Sequence, residues 1–168
     1  MATIAVDAQL GKGLSSYAIS RFGLNIGGWS HLANVLQDGR YLDARSDRLG
    51  GVEPGVHIRL PHTEPWVKRR RASLEVSQET YDSWEANLRA KITDAYAKSD
   101  ILGFLFGIDD HEDGHWDCSA LTINAIQHVR LLPYPLLSAK AHSIAPDVGF
   151  LLLEAIGFKL GPVIYNRL

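Results

Sequence analysis

The single cysteine of the chain, Cys118, has neighbours that place it where a thiol can do chemistry. Asp117 is a favourable N-cap residue, and the apolar residues that follow recur at helical spacing, so Cys118 is predicted to lie in the first turn of a helix. Backbone N–H groups and the positive end of the helix dipole stabilise a thiolate there. The same spacing also fits an inert cysteine on a buried stripe with Leu121 and Ala125. A lone cysteine excludes an internal disulfide and a multi-cysteine zinc site.

An acidic segment with two histidines offers a different chemistry. His111 and His115 are separated by three residues, a spacing that puts two imidazoles on one helical face, and with the surrounding carboxylates they could bind zinc or manganese for hydrolysis. Gly114 and the loop-like composition argue against a helix, and a solvated acidic loop is the favoured interpretation. The carboxylates belong to Asp109, Asp110, Glu112 and Asp113.

The strands that must position these residues are predicted from turn signals and alternation. Asp38-Gly39 is a strong hairpin signal between two strand-like runs, residues 31–37 and 40–44. Apolar and polar residues alternate again over residues 56–60 and 72–76, which predicts two further short strands. An antiparallel sheet follows from this arrangement.

Helical spacing appears later in the chain. Apolar residues from Tyr81 to Ala95, behind Ser77 as N-cap, predict an amphipathic helix of about five turns. The apolar run after Asp147 fits a helix or a strand equally well. Strands followed by helices indicate an α+β fold. With no repeat or low-complexity segment, we expect one domain over residues 1–168, in which residues 1–28 stay unassigned. The glycines of the first thirty residues predict irregular structure or a short helix that leads to a strand.

Composition bounds the class of protein. A chain of 168 residues with 46% hydrophobic residues and a net charge of −2 is typical of one soluble globular domain. Its longest apolar stretch, residues 101–108, is well short of the roughly 20 residues that cross a bilayer, and its start lacks a secretory signal, so we expect no transmembrane segment and a cytoplasmic location. The one basic run, residues 68–71, favours a solvated strand edge or loop, and we expect no nucleic-acid partner.

Several short motifs, taken in their order along the chain, resemble the NlpC/P60 superfamily of papain-like cysteine hydrolases. Asp117-Cys-Ser-Ala-Leu121 is similar to the superfamily's nucleophile motif, which opens a helix. Ser30-His31 and Asp43-Ala44 precede it, and Ser143-Ile-Ala-Pro-Asp147 follows it. This order resembles the circularly permuted branch, which includes the YiiX-like proteins and the lecithin retinol acyltransferase group. The resemblance implies a permuted papain-like fold, with an antiparallel sheet packed against helices that include the nucleophile helix.

The resemblance also implies three catalytic roles. Cys118 would be the nucleophile, His31 would take its proton and later protonate the leaving group, and Asp43 would orient the imidazole. Hairpin register tests the last role: a three-residue loop places Asp43 on the face of His31, whereas a two-residue loop places Ser46 opposite His31. The backbone N–H of Cys118 is the natural oxyanion donor. Ala120 departs from the usual glycine or glutamate, but that side chain is not a reacting group.

The sequence is therefore compatible with three functions. The resemblance implies a cysteine hydrolase or acyltransferase of bacterial or phage origin, which needs no cofactor. It would cleave an amide or ester bond of a peptide, a peptidoglycan peptide or a lipid acyl group through an acyl-thioester on Cys118. The alternatives are a metal-dependent hydrolase that uses the loop of His111 and His115, and a binding or structural module that retains the fold without catalysis. Thiol reactivity separates the first from the last.

Overall fold

A six-stranded antiparallel sheet is the main element of the fold in the computed structural model. The structure describes residues 1–12, 28–49, 51–61, 66–97, 114–132 and 144–166. The strands of the sheet are β1 (Ala2–Gly11), β2 (His31–Val35), β3 (Tyr41–Arg45), β4 (Gly55–Arg59), β5 (Trp66–Val76) and β8 (Lys159–Tyr165). Their spatial order is β4-β3-β2-β1-β5-β8, so the first strand of the chain lies inside the sheet.

Three helices and a short parallel strand pair complete the described part of the chain, and the predicted α+β class is confirmed. The helices are α1 (Gln78–Arg89), α2 (Cys118–His128) and α3 (Pro146–Ala155), and the pair is β6 (Ala95–Tyr96) with β7 (His115–Trp116). No helix in the described ranges is both long enough and apolar enough to span a membrane.

The predicted N-cap of α1 is confirmed, but its predicted length is wrong. Ser77 Oγ accepts a hydrogen bond from the backbone N–H of Thr80 at 3.1 Å, which satisfies one of the open donors of the first turn. The helix ends at Arg89 after 12 residues, about three turns rather than five. Thr93 has a left-handed φ of 79°, and Ala95 already belongs to β6. Apolar spacing continues past the helix because the residues after it still pack on the core.

The prediction of irregular structure or a short helix near the N-terminus is wrong for residues 2–11, which form the ten-residue strand β1. Ile4 and Val6 point to one face of the sheet, and Asp7 and Gln9 point to the other. All four side chains are buried. Burial on both faces removes the simple alternation of apolar and exposed polar residues that marks a strand in the sequence.

The basic run also has a different position from the one expected. Residues 68–71 lie within β5, which pairs with β1 on one side and with β8 on the other, so they belong neither to a loop nor to an edge strand. β5 is 11 residues long, although the alternation predicted only residues 72–76. β8, which covers the far side of β5, was not predicted.

The sheet has two chemically different faces. The apolar face packs against α1, α2 and α3, and its side chains include Ile4, Val6, Leu32, Leu42, Ala44, Val56 and Ala72. The polar face carries Asp7, Gln9, His31, Asp43, Arg59, Arg69 and Arg71, beside a small apolar cluster of Ala5, Ala33, Val35 and Tyr41. Charged side chains buried in a sheet need partners on their own face, so the polar face must supply its own ion pairs.

The hairpin between β2 and β3 has a three-residue loop. The backbone N–H of Leu36 donates to the Arg40 carbonyl at 2.9 Å, which leaves residues 37–39 as the loop, and Gly39 has a φ of 81°. The register pairs Asn34 with Leu42 and Val35 with Tyr41, so residue 43 shares a face with residue 31. This register places Asp43 on the face of His31.

Replacement of Gly39 by alanine tests this loop. Nothing lies within 4 Å of a Cβ added there, so the left-handed φ is the only cost. We expect the free energy of unfolding to fall by about 1–2 kcal/mol in urea titrations. Gly161→Ala is the matched control, because that glycine has ordinary φ and its added Cβ would meet Arg71 O at 3.5 Å. Equal stability of Gly39→Ala and the wild type would contradict the loop conformation.

Candidate active site

Asp117 caps the helix that begins at Cys118, as predicted. Its Oδ1 accepts hydrogen bonds from the backbone N–H groups of Ser119 and Ala120, at 2.7 and 3.0 Å. The Ser119 hydroxyl donates to the same oxygen at 2.5 Å. The carboxylate therefore satisfies open donors of the first turn and holds Cys118 at the N-terminus of α2.

The Cys118 thiol is buried, with 4% of the residue exposed. Burial is the main cause that raises its pKa to about 12, and the negative charge of Asp117 adds to the effect. A backbone hydrogen bond from Leu32 and the positive charge of Arg45 act in the opposite direction without offsetting it. The thiolate expected from the helix position is not the resting form, because desolvation and the capping carboxylate together outweigh the helix dipole.

His31 and Asp43 form a direct pair on the polar face. Nε2 of His31 lies 2.6 Å from Oδ2 of Asp43, and since a carboxylate only accepts, the ring donates its Nε2–H. Nδ1 then carries the lone pair. Burial lowers the pKa of His31, the charge of Arg45 lowers it further, and the Asp43 hydrogen bond opposes both. The ring is therefore neutral at neutral pH and able to accept a proton.

Arg59 clamps the carboxylate from the other side, a contact that the sequence analysis missed. Its Nη1 donates to Oδ1 of Asp43 at 2.5 Å and to the Asp43 carbonyl at 3.1 Å. Nη2 donates to the carbonyl oxygens of Glu53 and Gly55. Burial alone disfavours the Asp43 carboxylate, but the hydrogen bond from His31 and the charges around it, including that of Arg59, lower its pKa below the ordinary value. Asp43 is thus an ionised group fixed in one orientation.

A buried polar link joins α2 to the hairpin. Asn34 Nδ2 donates to the Leu42 carbonyl and to Oγ1 of Thr122, both at 3.1 Å. The Thr122 hydroxyl donates in turn to the Cys118 carbonyl at 2.9 Å. The peptide of Cys118 is therefore tied to β2 and β3 independently of its thiol.

Helix α3 fixes the segment that precedes His31. The backbone N–H of Trp29 donates to Oδ1 of Asp147 at 2.7 Å, and the Trp29 ring packs edge-on against Phe150 with centroids 5.6 Å apart. Ser30 continues the sheet by donating its N–H to the Gln9 carbonyl. Asp147, part of the motif with Ser143, thus acts on the entry to β2, while Ser143 lies outside the described residues.

The structure brings two of the three implied residues into direct contact. His31 and Asp43 are paired, whereas no hydrogen bond among the described residues joins the Cys118 thiol to the His31 ring. The backbone of Leu32, the next residue in the chain, acts on the thiol by lowering its pKa. Helix α2 packs on the apolar face, where the Leu32 side chain lies, and the His31 ring lies on the polar face. Ser46, the alternative to Asp43, is exposed in the bend after β3.

The predicted metal site falls largely outside the described residues, which begin again at Gly114 after residue 97. His115 lies in the short strand β7, so the helix that would align it with His111 does not extend through it. Gly114 has a left-handed φ of 78°. Within the described ranges, no three His, Cys, Asp or Glu side chains come together as a metal site.

Comparison with known proteins gives no match, either to a protein-family model or to a curated protein. The resemblance to the NlpC/P60 superfamily therefore stays a prediction from short motifs. The contacts of the described residues are the basis for a functional proposal.

Replacement of Arg45 tests the electrostatics of His31. Arg45 lowers the pKa of His31, so Arg45→Gln should raise that pKa toward its ordinary value of 6.5, measured from the ring Cε1–H resonance in an NMR titration. Arg40→Gln, on an exposed arginine paired with Asp38, should leave it unchanged. The lowered pKa contributes stability that is complete above pH 6.5 and is lost as the pH falls through the folded-state value. An unchanged or lower pKa in Arg45→Gln would contradict this account.

Thr122→Val tests the link between α2 and the hairpin. The change keeps the shape but removes the hydroxyl, which leaves a buried Asn34 donor short of an acceptor. We expect a loss of about 1–3 kcal/mol in the free energy of unfolding, measured by urea titration. Thr122→Ser keeps the oxygen and serves as the control, with a smaller loss. Wild-type stability of Thr122→Val would contradict a role for the hydroxyl in this link.

Proposed function

We propose that this protein is a cysteine hydrolase or acyltransferase that cleaves an amide or ester bond through an acyl-thioester on Cys118. The observation that carries the proposal is the 2.6 Å pair between His31 Nε2 and the buried Asp43 carboxylate. The backbone of Leu32, the residue next to His31, lowers the pKa of the Cys118 thiol. The order of motifs along the chain supports the same assignment.

His31 is suited to act as the base. Its Nε2–H is held by Asp43, so Nδ1 is the atom that takes the thiol proton. Its lowered pKa keeps that nitrogen unprotonated at neutral pH. Asp43 is a positioning residue that sets the tautomer and stabilises the imidazolium once formed. Arg59 holds Asp43 in place for this role.

Cys118 requires activation because its thiol is neutral at rest. Burial, the main cause of its raised pKa, also shields it from other electrophiles. Proton transfer needs direct contact between the His31 ring and the Cys118 thiol. Because the two lie on opposite faces of the sheet at rest, the proposal requires the start of β2 to rearrange when substrate binds. The transfer would then accompany attack of sulfur on the carbonyl carbon, so that free thiolate does not accumulate.

The remaining steps follow ordinary acyl transfer. The negative charge that develops on the carbonyl oxygen is stabilised at the N-terminus of α2, with the Cys118 backbone N–H as donor. The His31 imidazolium gives its proton to the leaving amine or alcohol. Water or a second acceptor then attacks the thioester and releases Cys118. Peptides, peptidoglycan peptides and lipid acyl groups all contain the required carbonyl.

A second candidate function is a binding or structural module without turnover. The observation that favours it is the burial of Cys118, 4% exposed, with a raised pKa, which is typical of an inert structural thiol. The His31 and Asp43 pair would then serve only to satisfy buried polar groups.

Acylation of Cys118 separates the two functions. We expect p-nitrophenyl acetate to acetylate Cys118 in the full-length protein, detected by intact mass and peptide mapping, and Cys118→Ala to remain unmodified. His31→Gln should slow acetylation by about 10²–10⁴-fold, because no base takes the thiol proton. His128→Gln, a change to an exposed histidine at the end of α2, is the control. The proposed function would be contradicted by a thiol that reacts only after denaturation, or by a His31→Gln variant that is acetylated at the wild-type rate.

A further inference from the structure

The two outer edges of the sheet differ in how the chain covers them. At the β4 edge, Val56 donates its N–H to the Asp94 carbonyl at 3.0 Å, and the Val56 carbonyl accepts the N–H of Thr93 at 2.9 Å. At the β8 edge, no strand of the described ranges pairs with the outer side. An uncovered edge presents backbone donors and acceptors that another strand can bind.

The hydrogen bonds of β8 identify its open backbone groups. The N–H of Asn166 donates to the Val67 carbonyl at 2.9 Å, so Asn166 faces β5. Successive residues of an antiparallel strand face its two neighbours in alternation, and Val163 and Tyr165 therefore direct their N–H and C=O groups to the open side. These two residues offer two donors and two acceptors to a further strand.

The same segment of β8 exposes apolar side chains. Val163, Ile164 and Tyr165 are 38%, 44% and 66% exposed. With Val67 beside them on β5, they account for four of the six large hydrophobic residues that are exposed in the described ranges. Residues 160–166 include no charged side chain. Covering such a patch is favourable, and its lack of charge selects no charged partner.

One antiparallel register of β8 with a second copy of itself satisfies both the backbone and the side chains. When the register is centred on Ile164, Val163 of each copy lies opposite Tyr165 of the other, and the two pairs form four backbone hydrogen bonds. The two Ile164 side chains meet at the two-fold axis, in the closer, non-hydrogen-bonded kind of pair. A centre on Val163 would instead place Tyr165 opposite Gly161 and Ile164 opposite Pro162.

The basic run of β5 does not oppose this pairing. Residues 68–71 lie one strand inside β8, so three strand spacings, about 14 Å in all, separate the runs of the two copies. This separation exceeds the Debye length of about 8 Å at physiological ionic strength. Arg71 is also paired with Asp7, and Arg70 donates to the Gly161 carbonyl of its own chain at 2.8 Å.

We infer that the outer edge of β8 binds a second copy of this chain, antiparallel and centred on Ile164, so that the two sheets join into one. Both copies use the same residues, so the contact closes on itself as a dimer. The inference is independent of the proposed function. One strand pair is small beside the roughly 1,200–2,000 Å² of stable interfaces, and we expect a dissociation constant of about 100 µM.

Sedimentation velocity of the full-length protein tests the dimer. We expect the weight-average sedimentation coefficient to rise between about 10 µM and about 1 mM. Ile164→Lys places two lysines at the two-fold axis and should weaken association by at least about tenfold. Leu60→Lys is the matched control, because Leu60 is 50% exposed just after β4, at the other edge of the sheet. It should leave association unchanged.

Disulfide capture tests the register, in protein carrying Cys118→Ala so that the introduced cysteine is the only thiol. Cα atoms of a non-hydrogen-bonded pair lie about 4.5 Å apart, so Ile164→Cys should form an intermolecular disulfide in oxidised glutathione. Val163→Cys should stay monomeric on a non-reducing gel. In the inferred register its two copies lie diagonally, about 7–8 Å apart, which is too far for a disulfide.

Three results would overturn the inference. A protein that stays monomeric at about 1 mM would exclude a second copy as the occupant of this edge. A dimer that Ile164→Lys leaves intact would place the contact on another surface. Equal disulfide formation in Ile164→Cys and Val163→Cys would exclude the register centred on Ile164.

Discussion

The buried carboxylate of Asp43 is the group on which the rest of the site depends. A charge with 0% exposure is stable only when its partners are fixed, and Arg59 and His31 occupy its two oxygens. Nη2 of Arg59 donates to the backbone carbonyls of Glu53 and Gly55. One ion pair therefore binds β4 and the segment before it to the hairpin and sets the orientation of the imidazole.

The same solution recurs at Asp7, two strands away. Its carboxylate is buried between Arg71 and the Tyr41 hydroxyl, so β1, β3 and β5 are joined by side chains as well as by backbone hydrogen bonds. The opposite face of the sheet needs no ion pairs, because it buries aliphatic residues against three helices. The sheet thus separates a conventional hydrophobic core from a face built of compensated charges. Such a face is costly to build, because each buried charge needs a fixed partner.

Local signals in the sequence predict the parts of this fold that local forces determine. Asp38-Gly39 predicts the hairpin, and Ser77 and Asp117 predict the starts of two helices, because turn and cap chemistry involve only nearby residues. The dipeptide Asp38-Gly39 fits a two-residue or a three-residue loop, so the face of Asp43 is not decided until the register is known.

Other features depend on contacts between residues distant in the chain, and local sequence signals do not predict them. An arginine in an alternating strand looks solvated, and nothing near Arg59 in the sequence marks it as the partner of Asp43. The burial of Cys118, which reverses the expected shift of its pKa, depends on packing of α2 against β2 and β3. The strand β1 is not recognisable in the sequence for a similar reason, because both its faces are buried and its residues do not alternate between apolar and polar.

The central position of β1 has a consequence for how the protein reaches its folded state. β1 leaves the ribosome before the other strands of this sheet. It finds one partner, β2, within a few tens of residues, whereas its pairing with β5 joins Ala2 to Val76. Closing such a long loop loses chain entropy before any stabilising contact forms, so non-local antiparallel pairing slows folding. Until β5 has been synthesised, β1 presents an open edge, and the nascent chain carries a hazard of edge-to-edge association at β1 that pairing with β5 removes.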